Sequence, residues 1–478
     1  MLELDATAQA ALVASGEVSA RELVDASIAA ALEINPAING IIHERFERAR
    51  AQADAGGANG QFRGVPMVIK DLVAKEAGEP YHAGTRALKA IGYRASYDTE
   101  LVRRFRAAGF INIGRTNTPE FGSTITTEPL AYGPTRNAWN LDHTVGGSSG
   151  GSAACVASGI VAVGHANDGG GSIRVPAANC GLVGLKPSRG RVSHAPNGES
   201  WGGATIEGAV TRSVRDAAAV LDAISGYCTG DSAVATPFAR PLADEVGAPV
   251  GRLRVGLWTH PADGSPGDPE CAEAVTATGK LLESLGHDVA IAHPPALGDD
   301  IGRAFVTLVA VGATQDLNEI EALIGRRATE NDIEGSNLRF GQIGRGVSAV
   351  EYVDALATVN AWRRRVMAWW HPTDGLSSGF DVLCSPVVNG APAPIGWLSD
   401  DVHANERVRI ALKYTSQFNL TGQPAVSLPL AWSASGLPIG MQFVGGFETE
   451  PLLVRLAAQL EEAAPWRHRR PPVFAGNS

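Results

Sequence analysis

The chain has 478 residues, of which 44% are apolar and 19% are charged, and this balance excludes a disordered chain, a collagen-like chain and a small disulfide scaffold. Its 50 acidic and 40 basic residues give a formal net charge of −10, which argues against a nucleic-acid partner and against an acidic membrane surface. The five cysteines are far apart with no Cys-x-x-Cys pair, and the acidic start is unlike an export signal, so we expect a cytoplasmic protein without a membrane span.

Two helices are predicted at the start of the chain. The first covers residues 6–14. The second begins at Ser19, because Ser19 and Glu22 form a capping-box pattern ahead of apolar residues at helical spacing. Pro36 is expected to end this second helix. The following segments then predict a strand over 63–72, a helix over 99–108 and a strand over 110–114.

The alternation of strand and helix is clearest in the middle of the chain. Residues 253–258 indicate a strand, residues 268–285 a helix and residues 287–291 another strand. This order predicts a βαβ unit with parallel pairing. The last quarter repeats the alternation, with strands over 381–384, 425–430 and 439–444 and a closing helix over 451–463.

These elements predict a single large α/β domain, because the strands at both ends fit one sheet and no Pro/Gly/Ser-rich linker divides the chain. The expected architecture is a large mixed, mostly parallel sheet with helices on both faces. Within the domain we expect N-terminal helices over 1–62, a core with a lysine and Gly/Ser-rich loops over 63–291, a more helical segment over 292–397, and C-terminal strands and a helix over 398–478.

Two segments, residues 146–153 and 167–172, contain far more glycine and serine than a helix or a strand requires. Glycine runs allow backbone N–H groups to converge on an anion, which is either a phosphate or the oxyanion of an acyl transfer. Neither segment contains the lysine of a Walker loop or the glycine spacing of a dinucleotide site. The two loops therefore favour acyl transfer over nucleotide binding.

Acyl transfer requires a nucleophile and a base that activates it. Gly146-Gly-Ser148-Ser-Gly150 matches the Gly-x-Ser-x-Gly nucleophile elbow, which would make Ser148 the nucleophile of a Ser-His-Asp α/β-hydrolase esterase. Residues 137–144 do not have the pattern of the buried strand that precedes such an elbow, and no downstream histidine stands in an informative context. From the residues alone, this alternative stays open.

A lysine is the other candidate base. Only 6 of the 40 Lys and Arg residues are lysines, and Lys70 ends an apolar run within residues 64–71. Burial at this point would lower the lysine pKa, and a neutral amine is a general base that arginine cannot be. The simpler interpretation is an ion pair between Lys70 and its neighbour Asp71.

With Lys70 and both glycine loops considered together, the sequence resembles the amidase signature family of Ser-cisSer-Lys hydrolases. The resemblance extends over nearly the whole chain. It is carried by residues 64–71, 114–122, 132–140, 146–153, 168–186 and 422–429. The family's fold is the mixed sheet with helices on both faces that the periodicity also favours.

The resemblance implies that Ser172 is the nucleophile, that Ser148 is the bridging serine after a cis peptide bond, and that Lys70 is the base. The implied oxyanion hole consists of the backbone amides of Gly169, Gly170, Gly171 and Ser172. Ser149, Asp168 and Arg174 match positions that support this network. For Arg174, a loop-anchoring ion pair is an equally good explanation.

One loop departs from the family pattern. In place of Thr-Asp-Thr-Gly-Gly-Ser the chain has Asn167-Asp-Gly-Gly-Gly-Ser172, so Gly169 replaces a threonine. With residues 4–10 and 164–167, this loop most resembles the branch that contains the 6-aminohexanoate-cyclic-dimer hydrolase. Matching that branch makes Ser123 and Ser148 substrate contacts, although an ordinary loop hydroxyl also explains Ser123.

The implied activity is hydrolysis of a carboxamide C–N bond to a carboxylate and ammonia or an amine, through an acyl-serine intermediate and without metal or cofactor. Residues 292–397 are expected to supply most of the acyl pocket. The alternative within the family is the glutaminase-type subunit of a tRNA-dependent amidotransferase. The expected partner is a small-molecule amide, with no nucleic acid and no membrane, and the sequence leaves open whether the chain forms a homodimer.

Overall fold

The computed structural model describes residues 1–371, 379–400 and 402–476. The strands in these ranges are β1 (Ile41–Glu44), β2 (Pro66–Lys70), β3 (Ile111–Thr116), β4 (Arg136–Asn137), β5 (Asn140–Thr144), β6 (Val163–Asp168), β7 (Val183–Lys186), β8 (Ile206–Thr211), β9 (Arg254–Leu257), β10 (Asp288–Ile291), β11 (Val382–Pro386), β12 (Ala425–Trp432) and β13 (Pro438–Gly445).

The α-helices in the same ranges are α1 (Ala6–Ser15), α2 (Ala20–Ile38), α3 (Phe46–Asp54), α4 (Arg86–Ala90), α5 (Glu100–Ala107), α6 (Gly150–Ala157), α7 (Arg174–Cys180), α8 (Val214–Ile224), α9 (Pro269–Ser284), α10 (Gly302–Ile324), α11 (Gly335–Arg345), α12 (Ala349–Met367), α13 (Ala404–Ala411), α14 (Gln417–Thr421) and α15 (Glu450–Ala463). Short 3₁₀ turns cover Glu120–Gly122, Leu242–Glu245 and Pro295–Gly298.

Eleven of these strands form a single sheet in the order β1-β3-β2-β6-β8-β7-β12-β13-β11-β9-β10. Strands from both ends of the chain therefore share a sheet, as the sequence predicts. The predicted βαβ unit is confirmed, because β9 and β10 pair in parallel on either side of α9. β4 and β5 form a separate two-stranded ribbon.

The sheet is mixed, as predicted, but the expectation of mostly parallel pairing is wrong. Among the pairs that its described strands form, four are parallel and six are antiparallel. The antiparallel pairs concentrate where β6, β8, β7, β12 and β13 follow one another across the sheet. Apolar periodicity shows that a strand is buried but carries no information on its direction, so the sequence could not show this.

Helices cover both faces of the sheet because its central strands are buried on both sides. Met67 and Ile69 of β2 pack in one apolar cluster with residues of α5, α8, α9 and α15, whereas Val68 packs in another with residues of α2 and α6. Successive side chains of a strand point to opposite faces. All five residues of β2 are therefore buried, including the terminal Lys70.

The N-terminal helices agree with the sequence except at one boundary. Ser19 caps α2, and Glu22 completes the predicted capping box. The prediction that Pro36 ends α2 is wrong, because the helix continues to Ile38 and stops at Asn39, which has a φ of 51°. A proline in the last turn removes one hydrogen bond, and the left-handed residue that follows provides the stop.

The segment predicted to be more helical contains α10, α11 and α12, but it also contains β11, which lies inside the sheet. The division of the chain into one domain with these sub-segments stays a prediction. None of the helices in the described ranges is both long enough and apolar enough to cross a membrane.

The core predicts a contrast between two identical substitutions in strands. Ile113 of β3 is completely buried, whereas Ile291 at the end of β10 is 81% exposed. Ile113→Ala is expected to lower the free energy of unfolding by about 2–5 kcal/mol, because it removes buried methyl groups and leaves a cavity. Ile291→Ala should change it by less than about 0.5 kcal/mol. Urea unfolding measures both, and equal losses would contradict this placement of the core.

Candidate active site

Lys70 is the centre of a cluster of neutral polar groups at the end of β2. Its Nζ lies 2.7 Å from Ser148 Oγ, 3.0 Å from Ser149 Oγ and 2.5 Å from Asn167 Oδ1. Asn167 also donates its backbone N–H to Ser149 Oγ at 3.3 Å. The structure therefore brings together a lysine and two serines that the sequence singles out.

Asp71, the next residue in the chain, binds a different partner. Its Oδ1 accepts a hydrogen bond from Arg115 Nε at 2.9 Å, and the backbone N–H of His82 also donates to this carboxylate. Neighbouring residues at a strand end point in opposite directions. The ion pair between Lys70 and Asp71 considered from the sequence is therefore not formed.

The environment of Lys70 favours its neutral form. Burial lowers the pKa of Lys70 to about 7, although the carboxylates of Glu207 and Asp168 act against this shift. A neutral amine carries two N–H bonds and one lone pair. If the two N–H bonds point to Ser149 Oγ and Asn167 Oδ1, the lone pair faces Ser148 and can accept its hydroxyl proton.

Ser148 is fixed by close backbone packing around the first glycine loop. The Gly147–Ser148 peptide bond is cis. A Cβ atom on Gly147 would lie only 2.8 Å from the backbone nitrogen of Thr126, and one on Gly122 would lie 3.0 Å from Ser148 Oγ. The glycines of this region therefore allow chain segments to approach Ser148 closely.

The surroundings of Ser148 do not match a nucleophile elbow. The preceding strand, β5, belongs to the small ribbon outside the central sheet, and two of its five residues are exposed. An elbow follows a buried strand of the main sheet. In addition, the group that binds the Ser148 hydroxyl is Lys70, whereas the buried His165 binds Glu207 at 2.8 Å. The Ser-His-Asp alternative therefore has no support in this geometry.

The second glycine loop connects β6 to α7, and Asp168 holds its shape. Asp168 Oδ1 accepts the N–H of Gly171 at 2.6 Å, and Oδ2 accepts that of Ile173 at 3.1 Å. Among the backbone amides of this loop, those of Gly169, Gly170 and Ser172 donate to no acceptor within the described part of the chain. Three of the four amides of the expected oxyanion hole are thus free to bind a ligand, and the fourth, that of Gly171, is occupied.

Arg174 anchors this loop to the C-terminal part of the chain. Its Nε and Nη2 donate to the Asp168 carboxylate at 2.9 and 2.8 Å, and its Nη1 donates to Thr415 O and Gln442 Oε1. Asn419 Nδ2 adds a hydrogen bond of 2.8 Å to Asp168 Oδ1. Burial alone would raise the pKa of Asp168, but the Arg174 guanidinium holds it well below its usual range. These contacts support the loop-anchoring interpretation of Arg174.

Ser172 is the most accessible of the three residues expected to react. Lys70, Ser148 and Ser172 are 0%, 2% and 8% exposed, so exposure decreases from Ser172 to Lys70, the direction in which a proton relay would run. The Ser172 hydroxyl forms no hydrogen bond with another described side chain. Such contacts are often long in ligand-free enzymes and shorten when substrate binds.

Ser123 lies beside this cluster. Its side chain is exposed, and its Oγ donates to the carbonyl oxygen of Glu120 at 3.0 Å. The neighbouring Gly122 approaches Ser148. Ser123 is therefore close enough to the loops for a role in substrate binding to stay a reasonable prediction.

Sequence reasoning missed two polar groups of this site. Asn167 accepts a hydrogen bond from Lys70 at the end of β6, the strand next to β2, and its place as the first residue of the identified segment 167–172 was the available sequence signal. Asn419 binds Asp168 across 251 residues. No local pattern in the sequence indicates a contact of that length.

Comparison with known proteins shows the family to which the chain belongs. The chain matches the Amidase family over residues 22–454, and it therefore belongs to the amidase family, whose members are amide hydrolases. It is 42% identical to the 6-aminohexanoate-cyclic-dimer hydrolase of Paenarthrobacter ureafaciens, over 98% of this chain and 97% of that protein.

Solved structures give the same result. A structure of 6-aminohexanoate cyclic dimer hydrolase superposes with a TM-score of 0.94 at 42% identity, over 99% of both chains. One subunit of the glutamyl-tRNA(Gln) amidotransferase of Thermotoga maritima is more distant, with a TM-score of 0.74 and 26% identity, over 94% of this chain and 92% of that one. The mixed sheet with its surrounding helices is thus the amidase signature fold.

The anchoring role of Asp168 predicts a large loss of stability. Asp168→Asn would leave the buried Arg174 charge without its counter-ion, and we expect the free energy of unfolding to fall by about 3–5 kcal/mol. Asp25→Asn is the matched control. Asp25 also accepts hydrogen bonds from arginine N–H groups, one of Arg21 and one of Arg50, but its side chain is 40% exposed. That control should cost no more than about 1 kcal/mol. Guanidinium unfolding distinguishes the two, and a loss at Asp168 as small as that of the control would contradict the anchoring role.

Proposed function

We propose that this amide hydrolase cleaves a carboxamide C–N bond through an acyl-Ser172 intermediate, with Ser148 relaying protons between Ser172 and Lys70. The observation that carries the proposal is the hydrogen bond of 2.7 Å between Ser148 Oγ and a buried lysine whose pKa is lowered to about 7. An amine with this pKa is partly unprotonated at neutral pH and can act as a base.

In the first step, neutral Lys70 accepts the proton of Ser148 while Ser148 accepts the proton of Ser172. Ser172 Oγ forms a bond to the carbonyl carbon, and the π electrons of the carbonyl move to its oxygen. The free amides of the second glycine loop would stabilise this oxyanion, each contributing about 3 kcal/mol in comparable sites.

The later steps reverse the direction of the protons. Ser148 gives a proton to the leaving nitrogen as the C–N bond breaks, which releases ammonia or an amine and leaves the acyl group on Ser172. A water molecule then attacks the ester while the same relay accepts its proton. As the ester C–O bond breaks, Ser148 returns a proton to Ser172 Oγ and takes one from Lys70, which restores the neutral amine, and the acid product loses its own proton to solvent.

We favour hydrolysis of a small-molecule amide by this chain alone, in the cytoplasm, over a role as a subunit of an amidotransferase. The relative with 42% identity is named for a cyclic dimer of 6-aminohexanoate, whereas the amidotransferase subunit is only 26% identical. The cyclic dimer is therefore the first substrate to assay. The five cysteines are free thiols in the structure, which suits a reducing compartment.

Covalent labelling tests the identity of the nucleophile. After incubation with a phosphonyl fluoride, the intact mass of the wild-type chain should increase by one adduct, and Ser172→Ala should abolish that adduct. Ser148→Ala should retain Ser172 but slow its labelling by about 10²-fold or more, because the proton relay is interrupted.

Ser435→Ala, a substitution in the turn between β12 and β13, serves as the control and should be labelled like the wild type. An adduct that persists in Ser172→Ala and disappears in Ser148→Ala would show that Ser148 is the nucleophile.

The lowered pKa of Lys70 predicts the pH dependence of catalysis. Since protonated Lys70 cannot act as a base, kcat/KM should decrease as pH falls through about 7. Lys70→Arg should be inactive over the whole range, because a guanidinium stays protonated. Initial rates between about pH 5 and 9 test this, and a profile without an acidic limb would contradict the role of Lys70.

A further inference from the structure

The indole of Trp201 lies against the second glycine loop. A Cβ atom on Gly169 would come 2.8 Å from Trp201 Cζ3 and 3.0 Å from Cε3. The indole therefore occupies the space into which any side chain at position 169 would extend. Position 169 is the one at which glycine replaces the threonine of the family pattern, so Trp201 gives that replacement a physical reason.

The opposite edge of the same indole also packs against a glycine. A Cβ atom on Gly312, in the middle of α10, would lie 2.4 Å from Trp201 Cδ1 and 2.5 Å from Nε1. Glycine is unfavourable inside a helix. The indole thus fits between two backbone segments, and both of them lack the side-chain atom that would displace it.

The backbone that carries Trp201 is held in an uncommon conformation. Trp201, Gly202 and Gly203 have consecutive positive φ values of 54°, 64° and 83°. A bulky residue adopts a positive φ only when its surroundings enforce it, and such residues concentrate at functional sites. This turn leads into β8, where Ile206 pairs with Asp168 of β6. Strand pairing therefore fixes the indole relative to the glycine loop.

We propose that Trp201 determines specificity by selecting amides that are unbranched at the carbon next to the carbonyl. This inference rests on the proposed function, in which the amides of Gly169, Gly170 and Ser172 bind the carbonyl oxygen. The substrate carbon attached to the carbonyl group lies beside that oxygen, so it comes close to the side chain that covers Gly169. On this proposal, we expect the indole edge to leave room for a methylene group there and to collide with an additional branch.

The test compares butanamide with 2,2-dimethylbutanamide, two primary amides that share the leaving group and differ only in branching. Trp201→Ala should raise the ratio of kcat/KM for the branched amide to that for the linear amide by about tenfold or more, the effect of a methyl-sized space in an apolar pocket. Trp432→Ala is the matched control, because Trp432 packs against Trp139 and Arg469, and its ratio should equal that of the wild type.

Phosphonyl labelling separates the outcomes. A wild-type chain that forms no adduct on Ser172 contradicts the proposed function itself. Normal labelling of Trp201→Ala with an unchanged ratio overturns the role of Trp201 alone. If Trp201→Ala does not fold, Trp201→Phe replaces it and should shift the ratio in the same direction by a smaller factor, and no shift overturns the inference.

A double-mutant cycle checks the contact directly. Gly169→Ala should lower kcat/KM for butanamide by about tenfold or more in the presence of Trp201, because the new Cβ atom displaces the indole or the loop. In the Trp201→Ala background the same substitution should cost much less. Equal losses in both backgrounds would show that the indole does not occupy the space beside Gly169.

Discussion

The site depends on the enclosure of one amine among neutral acceptors. Lys70 ends a strand that is buried on both faces, and its three hydrogen-bonding partners are two hydroxyls and an amide oxygen. An acidic partner at this point would keep the lysine protonated. The neutral partners accept its N–H groups but do not compensate the positive charge of the protonated form, which burial disfavours. The hydrogen bond between Arg115 and Asp71 serves the same purpose, because it keeps the carboxylate nearest to Lys70 in the sequence away from the Lys70 amine.

The two glycine loops support this amine in different ways, although they look alike in sequence. In the first loop, Gly147 lets the chain approach its neighbours closely enough to fix Ser148. In the second loop, Asp168 binds the N–H of Gly171, and neighbouring amides have no acceptor among the described residues. In the proposed mechanism, the first loop therefore positions the serine that relays the proton, and the second presents N–H donors to the substrate oxygen.

Helices, strands and candidate site residues could be predicted from the sequence where neighbouring residues in the chain determine them. The capping box at Ser19, the βαβ unit around α9 and the isolated lysine at position 70 all follow from spacing and composition. Strand direction was predictable only around α9, where a helix joins neighbouring strands; across the centre of the sheet it was not, because strands buried on both faces have the same apolar pattern in parallel and antiparallel pairs. The contacts of Arg174 with Gln442 and of Asp168 with Asn419 span 268 and 251 residues, and only the folded chain brings such residues together.

These long-range contacts determine when, during synthesis, the second glycine loop can reach its final shape. Lys70, Ser148 and Ser172 all leave the ribosome early, but the Asp168–Arg174 pair that shapes the second loop is completed by residues 415–442. Contacts between distant parts of a chain form late, because closing the long loop between them costs conformational entropy. If Ser172 is the nucleophile, as proposed, a nascent chain carries it for most of translation before the contacts that shape the second loop exist, and the serine becomes able to react with a substrate only when the final strands have emerged.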